Sequence, residues 1–325
     1  MFGMSRLKNT RFNRTNPRSI HFGAYMKNSF RKLIPVAAAL GLVFAASSAQ
    51  AFTLKNGAGV TYVTNATSLD WNSTGSGVAK NVASGVALTE GKTFDFLYQA
   101  NLSSVAGKTT STYRANLDST ADGAPNDDGA FEFTIVAKLS EYVKTSSVDL
   151  VNGTVSATFG LQNIAGANKV AIYYDTKANA FTSAGTGFDD GVMVALLTVD
   201  PNVTLSTFTT TIATGNGLGS TKMTATVSEA GDFINQNYLA GLTKLSFTYD
   251  SNLNLPAGDS LTNTFHGGAG GDTTLFPTYN VKAGDLVFKV DGATSVNVPE
   301  PTSIMLLGMG MLGLVGAKRR RAPKA

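Results

Sequence analysis

The chain has 325 residues, with 26 Lys and Arg against 22 Asp and Glu, two His and no Cys. Without cysteine it has neither a disulfide framework nor a thiolate metal site, and two histidines are too few for a histidine-rich zinc cluster. Its formal net charge of +4 is concentrated in basic ends, so the ends have to be read apart from the body.

Residues 1–25 carry Arg6, Lys8, Arg11, Arg14 and Arg18 ahead of what already reads as a complete secretory signal. That signal occupies residues 26–51. Met26 to Lys32 is a basic n-region, Leu33 to Ala46 an apolar h-region expected to be helical, and Ala49-Gln50-Ala51 a small-x-small cleavage site for signal peptidase. Met26 is therefore the expected start and residues 1–25 an extension, an unusually long n-region being the alternative. In either case the leader's cations are not a nucleic-acid patch.

Residues 52–298 form the body. Short runs of alternating character recur along it: 131–137, 155–159, 170–174, 192–199, 204–213, 221–228, 244–250 and 285–290. Their β-branched and aromatic content favours strands with one buried face. Asn152-Gly153 lies between two such runs and is the strongest hairpin signal, while Asp190-Gly191 closes a loop before Val192. Phe233, Tyr238, Leu239 and Leu242 predict a helix over 229–242, weakened by Gly231 and Gly241. Residues 65–92 and 251–282 read as long surface loops. The expected fold class is all-β, an antiparallel β-sandwich of jelly-roll or Ig-like type.

Chemistry is sparse in the body. With His21 in the leader, His266 is its one histidine, set in a glycine-rich turn, and no nucleophile motif or phosphate loop accompanies it. No enzymatic activity is expected. Asp122, Asp127 and Asp128 sit among turn glycines as hard oxygen ligands that suit calcium, and Asp189-Asp190-Gly191 is a weaker version. Trp71, in a polar stretch, is the candidate for stacking on a sugar, with Tyr113, Tyr173, Tyr174, Tyr249 and Tyr279 as possible additions.

Residues 299–325 end the chain. Pro299-Glu300-Pro301 precedes an apolar run from Ile304 to Ala317 and the cations Lys318, Arg319, Arg320 and Arg321. As a helix, the stretch from Ser303 to Ala317 would reach roughly 22 Å against a hydrocarbon core of about 30 Å, a short transmembrane helix suited to transient anchoring in the inner membrane. The cations hold that end in the cytoplasm.

This ordered triplet, span and basic tail resembles the PEP-CTERM sorting signal of certain Gram-negative bacteria. The resemblance implies export and processing by the membrane peptidase exosortase. A softer resemblance, carried by 131–136 and by Tyr173-Tyr174-Asp175 through Asp189-Asp190-Gly191, is to the flocculation-associated subgroup of PEP-CTERM proteins, whose implied role is retention of exopolysaccharide.

Without leader and tail, residues 52–298 hold 13 Lys and Arg against 21 Asp and Glu, a net charge of −8. An acidic body does not bind nucleic acid nonspecifically. The expected function is that of a cell-surface or extracellular matrix protein contacting polysaccharide or other matrix proteins, in support of biofilm or floc. A one-site carbohydrate-binding module and a carboxylate-dependent polysaccharide hydrolase are the alternatives.

Overall fold

The computed structural model describes residues 51–122, 130–253, 263–267, 270–271 and 274–296. The leader, the C-terminal segment with its expected membrane helix, and the turn holding Asp127 and Asp128 lie outside the described residues. Among the described residues no helix is long and apolar enough to cross a membrane.

The chain opens with β1 (Phe52–Lys55), β2 (Thr61–Trp71), β3 (Gly75–Ala79) and β4 (Thr93–Thr109), then a short helix α1 (Ser111–Asn116). Next come β5 (Glu132–Asp149), β6 (Thr154–Leu161), β7 (Lys169–Asp175), β8 (Val192–Val199), β9 (Leu205–Thr211) and β10 (Gly217–Thr226). β11 (Phe233–Ile234), β12 (Leu239–Ala240), β13 (Lys244–Leu253), β14 (Thr264–Phe265), β15 (Tyr279–Asn280) and β16 (Leu286–Ser295) complete the series.

Pairing converts these strands into a closed barrel. β2 and β3 run end to end along one edge of β4, whose other edge pairs with β5. β6 and β7 together line the far edge of β5, and β9 and β8 line β6 and β7 in turn. β10 pairs with both β9 and β8, then β13 with β10 and β16 with β13. β16 returns to β3 and β2, so the ladder has no free end. Counting each broken strand once, this is an eight-stranded antiparallel up-and-down barrel. The all-β antiparallel expectation holds, whereas the sandwich is replaced by closure, which satisfies the edge amides that two open sheets leave unpaired.

Alternation along the strands explains which face turns inward. β6 reads half-buried and buried in strict succession, with Val155, Ala157, Phe159 and Leu161 inside. β16 does the same with Leu286, Phe288, Val290 and Thr294. Outside, the β5, β6, β9 and β10 faces carry hydroxyls. Thr145 and Thr158 are 2.6 Å apart, Ser156 and Thr209 2.9 Å, Thr207 and Ser220 3.3 Å, all at exposed positions. An apolar interior under a polar exterior is the reverse of a lipid-facing barrel.

Two sequence expectations fail locally. Residues 229–242 form no helix: Gly231 and Gly241 have φ of 93° and 90°, and between them β11 pairs with β8 and β12 with β1. Within 65–92, expected to be loop, lie most of β2 and all of β3. The Asn152-Gly153 turn does join β5 to β6, with Gly153 at φ 62°.

One buried ion pair holds the 227–243 segment to the barrel wall. Lys169 Nζ on β7 donates to Asp232 Oδ1 at 2.6 Å and lies 2.8 Å from Glu229 Oε2, while Thr198 Oγ1 donates to Asp232 Oδ2 at 2.7 Å. With the Asp232 side chain fully buried, breaking the pair from one side strands a charge, a loss of about 3–5 kcal/mol in comparable sites.

Candidate functional site

The expected sugar platform is not on the surface. Trp71 is 1% exposed, and its indole N–H donates to Thr294 Oγ1 on the neighbouring strand β16. Trp71 follows Leu69 by two residues in β2, so strand alternation turns both inward despite their polar sequence neighbours. Tyr113, Tyr173, Tyr174 and Tyr249 are buried too. Tyr279 is half-buried, with its ring 4.2 Å from Lys80 Nζ and its hydroxyl donating to Asp285 at 2.6 Å. These aromatics are structural.

Of the calcium candidates, Asp122 forms an isolated bridge with Phe181, which sets it beside the 176–191 loop. Among the described residues no group of three or more His, Cys, Asp or Glu gathers as a metal cluster. Ala51 immediately precedes β1, so cleavage between Ala51 and Phe52 leaves every strand intact. Ala49 and the sorting residues lie outside the described residues.

Two places in the fold do concentrate polar chemistry where it is costly. The first is on the outside of the barrel, where the 176–191 loop and the segment around β14 and β15 cover β4, β5, β7 and β8. Small apolar clusters form there, one around Val136, Tyr173, Phe188 and Phe276, another around Leu97 and Phe265. Polar side chains are trapped with them. Glu132 is fully buried, with Oε1 accepting from the Asn179 and Ala180 N–H groups at 2.6 and 2.9 Å and Oε2 taking no hydrogen bond. Burial pushes its carboxyl up to about 8. His266, 2% exposed with φ 51°, receives a hydrogen bond at its carbonyl from Thr278, and its own N–H donates to Gln99 Oε1. Burial lowers its imidazole to about 4, so at neutral pH it is an uncharged packing residue.

The second place is the barrel interior. A cavity of about 60 Å³ lies between β4, β6, β9, β13 and β16 and the 80–92 connection. Its walls are largely aromatic and aliphatic, and Glu141 projects among them. This carboxyl is 5% exposed and is held up at about 8 by burial, with Ser206 Oγ donating to it across a long 3.4 Å. Thr221 Oγ1 donates to Ser206 Oγ at 3.0 Å, and the buried Tyr249 hydroxyl on the same wall has no partner. Nothing in the sequence flagged Glu132 or Glu141. Each lies in the buried part of β5, Glu132 under the 176–191 loop and Glu141 inside the barrel, and only the tertiary cover reveals it.

Comparison with known proteins bears on the C-terminal segment. Residues 297–321 match the family model for the PEP-CTERM protein-sorting motif. The chain carries a PEP-CTERM sorting signal. The match contains Pro299, Glu300, Pro301, Lys318, Arg319, Arg320 and Arg321, the residues expected to form the triplet and the basic tail. A PEP-CTERM motif indicates an exported protein with a C-terminal sorting signal, and it implies exosortase processing during export. No curated protein and no solved structure matches the chain.

Proposed function

We propose that this PEP-CTERM protein is a non-enzymatic cell-surface or extracellular matrix component of a Gram-negative bacterium, associating with exopolysaccharide and supporting biofilm or floc. The sorting motif carries the reading, because it places an acidic barrel outside the cytoplasm. The outward hydroxyl rows of β5, β6, β9 and β10 support the polysaccharide contact, since each hydroxyl both donates and accepts, and many weak contacts along one chain sum to retention. Cells lacking the gene are expected to shed exopolysaccharide into the medium and to settle more slowly, with both defects reversed by the intact gene. Equal polysaccharide in the cell pellets of mutant and parent would remove the role. The one-site carbohydrate module loses its aromatic anchor with Trp71 buried, and a hydrolase is tested by turnover on a polysaccharide panel.

Calcium belongs to the same proposal. Asp122 bridges Phe181 in the loop that also holds Asp189 and Asp190, and two buried acceptors, Glu132 Oε2 under that loop and Asp190 Oδ1 within it, take no hydrogen bond. At 10 mM calcium, about ten times the Kd of a weak extracellular site, the melting temperature is expected to rise by about 3–6 °C and to fall back in EDTA. An unchanged melting curve excludes calcium.

A further inference from the structure

An eight-stranded barrel has an interior just large enough to be filled by side chains or to keep one small ligand. Here the filling is incomplete on one side, and the gap has a definite chemistry. Phe94 and Phe159 meet edge to face with centroids 5.4 Å apart, and Phe288 lies between Phe96 at 5.7 Å and Phe208 at 6.1 Å. All five rings line the cavity that holds Glu141.

The polar groups in this apolar box are unbalanced. Glu141 has no Lys or Arg within salt-bridge distance among the described residues, and none lines the cavity. Its one described hydrogen bond is the long contact from Ser206. The Ser206, Thr221 and Tyr249 hydroxyls each have lone pairs to offer, and Tyr249 is wholly unpartnered. A buried carboxyl with so little compensation costs several kcal/mol. What the cavity lacks is a positively charged donor; what it supplies is a carboxylate, hydroxyl acceptors, ring faces and room for a short hydrocarbon. Aromatic faces attract cations and accept alkyl groups alike.

We propose that the barrel interior is a binding site for a small organic ammonium ion, its charged head against Glu141, Ser206 and Tyr249 and its alkyl chain among the phenylalanines. The site is independent of the sorting signal. No bond is made or broken; the ligand is held by charge pairing, hydrogen bonds and burial. The groups that line the cavity with Glu141 include Phe94 on β4, Ala157 and Phe159 on β6, Ser206 on β9, Thr221 on β10 and Tyr249 on β13, and Tyr249 is the other titratable member of the lining. Because the phenol stays neutral through this range, Glu141 is the cavity-lining group whose charge changes between pH 7 and 8.

The test is calorimetric titration of the exported protein with n-butylammonium chloride, beside 1-pentanol as a neutral molecule of similar length and sodium chloride as an ionic control. One ammonium per chain is expected, bound about fivefold tighter at pH 8 than at pH 7 as Glu141 ionises. Glu141→Gln, which keeps shape and removes charge, is expected to weaken butylammonium at least tenfold and 1-pentanol less than threefold. Ala157→Leu, which fills the cavity without touching the carboxyl, is expected to exclude both organic probes. Absence of saturable butylammonium binding by the unmodified protein, or equal affinity in Glu141→Gln, overturns the proposal.

Discussion

Deleting residues 299–325 is expected to abolish surface display. The deletion removes the Pro-Glu-Pro triplet, the apolar run and the four cations Lys318 to Arg321 together, so the exported chain is neither held at the inner membrane nor presented to exosortase. Protease accessibility on intact cells, with fractionation of membrane, periplasm and medium, measures the effect. A triple alanine replacement of Pro299, Glu300 and Pro301 separates the two roles of the segment. It keeps the anchor and removes the expected processing site, so the protein should accumulate at the inner membrane with its full length. If truncated and intact chains are displayed equally, the sorting segment does not direct this protein.

Stability is expected to fall as pH rises from 6.5 to 8.5, which is unusual for an acidic protein. Burial raises Glu132 and Glu141 to about 8 from an ordinary value near 4.5. Between those limits the folded state binds protons that the unfolded state has released, so each unit of pH costs stability. At 1.36 kcal/mol per unit, each carboxyl contributes about 2 kcal/mol between pH 6.5 and 8.5, and the pair about 4 kcal/mol. His266 has the opposite sign, since its imidazole is lowered to about 4 and the unfolded form takes up a proton below pH 6.5. Choosing 6.5 as the lower limit keeps that contribution out. Urea unfolding in EDTA at the two pH values measures the slope, and Glu132→Gln and Glu141→Gln should each remove about half of it. Curves that superimpose in the unmodified protein would show that both carboxyls are solvated in solution.

Local chemistry was legible in the sequence where the physics is local. The Asn152-Gly153 hairpin follows from two residues, β6 and β16 follow from the alternation of their own side chains, and β8 from a continuous apolar run. Closure is different, because it depends on β16 finding β2 and β3 from the other end of the body, and no short window contains both partners. The same limit hid the sites. Glu132 and Glu141 look like ordinary outward residues of a strand until the 176–191 loop covers one and the barrel encloses the other. Trp71 misled in the opposite sense, since its polar neighbours suggested exposure while its place two residues after Leu69 sets both on the inner face. In the 229–242 segment a helical spacing of apolar residues was overruled by two glycines at positive φ and by pairing with β8 and β1.

The closing strand has a temporal meaning as well. β16 ends at Ser295, and the PEP-CTERM match begins at residue 297. Synthesis and secretion deliver β16 after every other strand, so the barrel stays an open, curling sheet until its final ladder arrives. Contacts this distant in sequence form slowly. The closing strand thus directly precedes the sorting motif in sequence, and a molecule in which β16 has not docked has an unpaired edge on each side of the gap. The last ladder of the barrel to form is therefore the one that adjoins the sorting motif in sequence.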